Sequence, residues 1–429
     1  MTPFIFPIPR RQILPPSHSI RLVLGLLPRV GLSTGPAITL FETAFAQYIG
    51  VRHAIGVASA RTGLWWTLQM LGLKPGDEIL CPAYTFHVLP ELMRALGLRP
   101  IFIDADPEIF TLNPRLLEGA LTPRSRAILV THLFGQPCEL DPIIEFSKRH
   151  GLVLLEDCAH ALGASYRHKA VGSFGRAGFF SFGPGKNLSC FGGGMVTTSD
   201  EHLAQRFRET LEEGHPPSSL GLLRELIKTL GLAWGTGPHG FRWMGYPTLR
   251  LCEAVFPGLV DRLMEEPPGP KGALGSRATR LSNLQAAVGL DQIPLLEERN
   301  RRTLWNAQYL MGSLGDLPGL KFQRGLPEAE STALYCRVLV PEREAFRREL
   351  LRLGLDTKRD DMSNGGGSAF PVAARLVQQS LELPNGPGLH EAELRQIVDA
   401  VRRVALQRQP KMMRVRPEIP APTSTLSGR

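Results

Sequence analysis

The sequence predicts an α/β fold: a mainly parallel central sheet sandwiched by helices, plus a small α+β C-terminal domain. Short β-branched and apolar runs alternate with helical stretches from about residue 41 to residue 213. Such alternation over this length implies strands joined by helical crossovers, with helices on both faces of the sheet. A second, shorter set of strand and helix signals follows residue 280, separated from the first by a stretch of different character.

Taken in order, residues 1–40 read as an N-terminal arm, rich in proline and apolar residues, with a basic amphipathic run from Ser19 to Leu32. In the large unit, 41–213, Ala54–Ala58, Glu78–Pro82, Pro100–Asp104, Ala127–Thr131, Leu152–Asp157 and Gly178–Phe182 read as buried strands. Between them, Thr62–Leu73, His87–Leu98 and Asp141–His150 read as helices. Residues 214–272 break the pattern as an apolar and basic insertion punctuated by Pro and Gly, carrying Trp234, Phe241, Trp243 and Phe256. A long helical signal runs from Arg280 through Leu314. A strand at Leu334–Leu339 and helices at Arg343–Leu353 and His390–Leu406 complete a small unit over 273–409, and 410–429 reads as a flexible tail.

Composition bounds the function. The chain has 429 residues, enough for two cores, and is 43% hydrophobic and 21% charged with a mean hydropathy of −0.05, which suits a globular protein. A formal net charge of +9 favours anionic partners, and a phosphorylated cofactor or substrate is the modest reading. No run interleaves Lys and Arg with aromatics as a nucleic-acid groove does, so no nucleic-acid partner is expected. The six cysteines are scattered without a C-x-x-C pair, which argues against a metal site or a disulfide framework and suits a reducing cytoplasm. Neither a signal segment nor an apolar run of spanning length is evident.

The chemistry sits in two places. Lys186 lies in Ser181-Phe182-Gly183-Pro184-Gly185-Lys186-Asn187, ahead of Gly192-Gly193-Gly194. Asp157 closes the apolar strand that ends Glu156-Asp157-Cys158-Ala159-His160. A lysine among small residues can hold an aldehyde as a Schiff base, and a carboxylate at a buried strand end can keep a pyridine nitrogen protonated. That pairing is what pyridoxal 5′-phosphate requires. Taken alone, Lys186 reads equally as a solvated lysine and Asp157 as a helix cap or structural ion pair. His160 could approach the cofactor ring or serve as a packing residue. Ser181 could bond the phosphate or close a turn. Ser59-Ala60-Arg61-Thr62 leaves a strand and enters a helix, which makes an anion site or an ordinary N-cap, or both. Phe86 could stack on the pyridine or pack in the core.

The order Ala60-Arg61-Thr62, Pro75-Gly76-Asp77-Glu78, Tyr84-Thr85-Phe86, Phe102-Ile103-Asp104, His132-Leu133-Phe134-Gly135-Gln136, Glu156-Asp157, Phe180-Ser181-Phe182 and Lys186 resembles the DegT/StrS-type sugar aminotransferases, which are fold-type-I pyridoxal phosphate enzymes. The likeness runs from about residue 40 to 212 and resumes at Arg280–Ala287. It implies Lys186 as the Schiff-base lysine, Asp157 as the pyridine partner, Phe86 as the stacking ring, and Ala60, Arg61, Thr62 and Ser181 as the phosphate cradle. His160 stands where the family usually has Gln. The resemblance further implies a homodimer that moves an amino group, by family habit from glutamate, to a keto or aldehyde acceptor such as a nucleotide-linked keto-sugar. Relatives with His in place of the lysine are dehydratases, and Lys186 speaks against that branch.

Departures mark the substrate side. The family's Gly-x-Asn-x-Arg-Met motif aligns with Ser276–Leu281, with Ala278 where Asn would reach the neighbouring subunit's cofactor phosphate. Asp356–Asp361 replaces the family's C-terminal His-Tyr and Pro-Leu-His pattern. The 214–272 insertion leaves open a lipid-linked or hydrophobic acceptor at a membrane surface, beside the plainer expectation of a dimer arm or active-site lid. A non-catalytic cofactor-binding regulator and a lyase also fit these residues.

Overall fold

The structure, a computed structural model, describes residues 6–13, 31–214, 216–256, 279–359 and 361–412, with the side chains of 409–412 excepted. Its main sheet has seven strands: β1 His53–Val57, β2 Glu78–Pro82, β3 Arg99–Ile103, β4 Ser125–Thr131, β5 Val153–Asp157, β6 Ala177–Ser181 and β7 Gly194–Thr198. Their order is β1-β7-β6-β5-β4-β2-β3. Neighbours from β6 through β3 are parallel, while β7 runs antiparallel to both β1 and β6. The six expected strands lie here, each shifted by at most a residue or two; β7 is the strand that local pattern did not distinguish from its glycine-rich approach.

Continuous apolar runs fill both faces of the sheet. All five residues of β2 and all five of β7 are buried, as are Ala127 through Thr131 of β4. One face is covered by the helices Ala60–Met70, Val88–Ala95 and Glu201–Glu212, through Leu64, Leu68, Leu92, Leu203 and Phe207. Burying each such side chain contributes about 1.5–3 kcal/mol relative to leaving it in water. Close approach of helix to sheet needs Gly63, where a Cβ would lie 2.5 Å from Val196 Cγ2. Leu140–Arg149 packs on the opposite face around Ile143 and Phe146, and Ala37–Ile49 adds Phe41 and Phe45.

One expectation is corrected. The helical signal Arg280–Leu314 forms two helices, Asn283–Gln292 and Leu296–Leu314, with a 3-10 turn at Ile293–Leu295 between them. Pro294 lacks the N–H that an unbroken helix would bond there, and its ring crowds the preceding turn. The first of the pair begins at Ser282 with a capping box closed by Gln285.

The second sheet is small and antiparallel: β8 Lys321–Phe322, β9 Cys336–Leu339, β10 Lys358–Arg359 and β11 Ser380–Leu383, in the order β8-β9-β11-β10. Helices Arg343–Arg352 and Glu391–Met412 cover it. The sheets are tied by Asp104, whose carboxylate accepts the N–H groups of Val372 and Ala373 at the start of the Pro371–Gln379 helix, at 3.0 and 2.8 Å. Residues 6–13 cross this second layer. Ile8 donates its N–H to Gly354 O and accepts from Asp356 N, forming a parallel bridge with Leu355.

Within the insertion, residues 219–236 and 246–255 are helical. Of the amphipathic run Ser19–Leu32, only Gly31 and Leu32 are among the described residues; Ala278 and the tail beyond Met412 lie outside them. Among the described residues, no helix is long and apolar enough to cross a membrane.

Candidate active site

The C-terminal ends of β5 and β6 and the start of the Ala60–Met70 helix converge on one side of the main sheet, as ligand-binding ends do in open α/β folds. Asp157 closes β5, and its Cα pairs with Phe179 of β6, two residues before Ser181. Ser181 pairs across to Gly194, the first residue of β7. A Cβ on Gly194 would lie 2.5 Å from Ala60 N and 2.7 Å from Phe180 O, so only glycine lets the helix start sit down on the strand end. Ala60, Arg61, Thr62 and Ser181 are thereby gathered around one strand edge.

At that helix start, Ser59 Oγ accepts the Thr62 N–H at 3.2 Å and lies 3.0 Å from the Thr62 hydroxyl. Ser59 is the N-cap, and Thr62 is buried beneath it. Phe86 follows the end of β2 and is partly buried between two apolar clusters, its ring 4.7 Å from that of His87.

Lys186 is delivered by a tight turn. Gly183 O accepts the Lys186 N–H at 3.3 Å, with Pro184 second and Gly185 third at φ 81°. Proline then a left-handed glycine is the sequence a type II turn demands. Burial pulls the Lys186 amine down to about 8, assisted by the charges of Arg11 and Lys358 and resisted by Asp361 and Asp157. Burial pushes the Asp157 carboxyl up, against the Ala159 N–H it accepts at 3.0 Å and the charge of Lys186. Each of the two groups feels the other's charge, which sets them in one site.

His160 lies with its ring stacked on Phe134, centroids 5.8 Å apart, and edge-on to Tyr335 at 5.1 Å. Burial, and then Lys186, hold its imidazole well below the usual histidine range, so it is neutral. Its Nδ1 is buried with no hydrogen-bond partner among the described residues.

Beneath Asp157, His132, Glu156 and Cys158 bring ligand-type atoms within 4.8 Å of one another. The protein itself occupies them. The Glu156 carboxylate accepts N–H groups from Gly172, Phe174 and Gly175 at 2.8, 2.8 and 2.6 Å. His132 Nδ1 accepts the Cys138 N–H at 3.1 Å, which leaves its Nε2 proton for Glu156 at 3.2 Å. A carboxylate so satisfied is a strut that fixes the strand end carrying Asp157.

Lys358 and Asp361, from the departure at Asp356–Asp361, are joined by Arg11, Arg337, Tyr335 and Glu382, which the sequence did not single out. Arg337 of β9, Glu382 of β11 and Lys358 of β10 are cross-strand neighbours in register. Glu382 takes Arg337 Nη2 at 3.1 Å and a bidentate pair from Arg11 of the arm. Lys358 Nζ bonds Asp361 at 2.7 Å. The Arg11 guanidinium lies 3.6 Å above the centre of the Tyr335 ring, and the Tyr335 hydroxyl donates to Gly185 O at 3.1 Å. A cleft runs from this cluster past Lys186 to Asn187, Gln292, Arg299 and Asn300. The available signal was a lone charge inside an apolar strand, in Cys336-Arg337-Val338-Leu339 and in Leu381-Glu382-Leu383, since a charge buried there must have a partner.

The sequence profile of the DegT/DnrJ/EryC1/StrS aminotransferase family matches residues 18–226 and 271–402. A dTDP-3-amino-3,4,6-trideoxy-alpha-D-glucose transaminase from Streptomyces venezuelae is 32% identical over 381 residues, 86% of this chain and 87% of that protein. A GDP-perosamine synthase from Caulobacter vibrioides is 41% identical over 186 residues, 43% of this chain and 50% of that one. Among solved structures, S. venezuelae DesV in complex with a ketimine intermediate superposes with a TM-score of 0.71 at 29% identity, covering 92% of this chain and 99% of that one.

Proposed function

Because the chain belongs to the DegT/DnrJ/EryC1/StrS aminotransferase family, whose members are pyridoxal-phosphate-dependent aminotransferases, we propose that it transfers an amino group from an amino acid to a nucleotide-linked keto-sugar. The observation that supports this reading best is the meeting of Lys186 and Asp157 at one strand edge, each shifted by burial and each within the other's field.

The residues present fit pyridoxal 5′-phosphate. Asp157 is a carboxylate whose burial raises it for want of a strong cation, and a protonated pyridine nitrogen is such a cation. The unpartnered Nδ1 of His160 offers a contact for a ring oxygen. Ala60, Arg61, Thr62 and Ser181 would receive the phosphate at a helix start, and Phe86 would cover a ring face. Bound here, the cofactor would supply an aldehyde carbon and an electron-accepting ring. The chain supplies the rest. Lys186, with its amine near 8, is partly unprotonated at neutral pH and can take a proton from the substrate carbon and return it. His160 remains neutral beside it, and Asp157 holds a positive charge in place. A homodimer is the expected working form.

The test is a pair of half-reactions on the purified holoenzyme. L-Glutamate should bleach the visible band of bound cofactor and release 2-oxoglutarate, and a nucleotide-linked keto-sugar should restore the band. Bleaching without restoration by any such sugar would reject the acceptor.

A second reading concerns the acceptor's location, and one observation favours it. On the Ser219–Thr236 helix, Leu222, Leu226, Thr229 and Ala233 face the core. Leu220, Leu223, Ile227 and Trp234 are exposed, and at 100° per residue they fall within an arc of about 60° on the other side. Trp243 and Met244 are exposed nearby, and Arg224 and Lys228 flank the stripe. The family profile leaves residues 227–270 unmatched, and Ile227, Trp234, Trp243 and Met244 lie there. A helix with apolar residues outward and cations beside them suits an anionic bilayer surface. Flotation with phosphatidylglycerol-containing vesicles checks this. Wild type should float, and W234S/W243S should bind at least about a hundredfold more weakly, since each lost indole removes about 1.5–3 kcal/mol of available burial. No flotation of wild type would end the reading.

A further inference from the structure

We propose that Arg11, brought in by the N-terminal arm, receives a carboxylate of the amino donor; this rests on the aminotransferase reading above. The arm is fastened on both sides of the residue. Arg10 makes a bidentate pair with Asp356, with Nε and Nη2 at 2.8 and 2.9 Å from the carboxylate oxygens. Ile13 N–H bonds the Thr236 hydroxyl at 3.0 Å. Between these ties the Arg11 side chain is largely covered, 21% exposed, and runs into the cleft beside Lys186.

Its guanidinium has a defined disposition. One edge, Nε and Nη2, is held by Glu382, and one face lies on the Tyr335 ring. Nη1 points away from that pair toward the turn bearing the lysine, 3.7 Å from where a Cβ on Gly185 would stand. Its protons are the ones available to a ligand in the cleft. Planar guanidinium groups recognise carboxylates well when one edge is pre-ordered.

Charge counting gives the ligand's sign. Along the cleft the cationic side chains are Arg10, Arg11, Lys186 and Arg299, and the carboxylate is Glu382; with Arg10 answered by Asp356, positive charge is still in excess. Asp361 shows how strong the local field is. Burial would raise it, yet Lys358, Arg337 and Arg11 hold it well below the usual carboxylate range. An excess cation in a poorly solvated cluster calls for an anion. The helix start that would take a phosphate, at Ala60 and Ser181, is not part of this cleft's lining, so that phosphate does not answer for it. Every amino-acid donor carries a carboxylate next to the carbon that must approach Lys186.

Glutarate, an unreactive dicarboxylate, is the probe, titrated calorimetrically into holoenzyme, with thymidine diphosphate as a second ligand. In R11M the glutarate dissociation constant should rise at least about tenfold, the loss expected for one charge-assisted contact. R11K should fall between. Thymidine diphosphate affinity should stay within twofold. The glutamate half-reaction of R11M should show a raised saturation constant with a smaller change in limiting rate. E382Q separates recognition from mere clasping: the amide oxygen can still accept from the held edge of Arg11 while one competing negative charge leaves, so glutarate binding should tighten, whereas a clasp would be loosened. Unchanged glutarate binding in both R11M and R11K overturns the assignment. So does a loss confined to thymidine diphosphate, or parallel weakening by R11M and E382Q. Failure of the underlying reaction would look different, as an absence of any glutamate half-reaction in wild type.

Discussion

Lys186→Ala should abolish turnover, by more than about 10³-fold, because both the covalent anchor and the proton-transferring amine leave together. The visible absorbance of bound cofactor should disappear with it, and exogenous methylamine should restore only a small fraction of either. A variant keeping both absorbance and turnover would place the chemistry elsewhere. The same substitution has an opposite effect on the apoenzyme's stability. The native amine titrates near 8 against 10.5 for an ordinary lysine, so between those values the unfolded chain binds the extra proton. Wild-type stability therefore climbs with pH across that window, and below it the buried ammonium is a penalty. Removing it should stabilise the apoenzyme at pH 7 by on the order of 1–3 kcal/mol and flatten the climb, read as the urea midpoint at a series of pH values.

Asp157→Asn should be nearly as damaging to catalysis while sparing the fold. The amide keeps the Ala159 N–H bond through its carbonyl oxygen but supplies no negative charge. Loss of one partner from a buried charge pair costs about 3–5 kcal/mol, which corresponds to about 10²–10⁴ in rate if the pair operates in the transition state. Cofactor should still attach to Lys186, so absorbance should persist as turnover falls. Asp157→Glu, with the charge retained but displaced, should recover part of the loss. If Asn and Glu were equally active, the charge at this strand end would have no part in the reaction.

Much of this was legible in the chain. Buried parallel strands announce themselves as short apolar runs between helical periods, and the turn Gly183-Pro184-Gly185 carries its own backbone geometry. The gathering of Ala60, Thr62 and Ser181 depends on β7 running against its neighbours, and a strand preceded by two glycines and opening on a third gives no local sign of its direction. Pro294 was visible, but the periodicity around it was strong enough to read through. Arg11 was the least legible. Its partners Glu382 and Tyr335 lie more than three hundred positions away, and no local pattern reports a pairing of that span.

That span bears on biosynthesis. Arg11 leaves the ribosome 371 positions ahead of Glu382. At about 5–20 residues per second, the arm waits on the order of 20–70 s for its socket to be translated. The half of the cleft that it builds cannot exist on a nascent polypeptide, so premature release yields a sheet with its lysine but without the strap that closes over it.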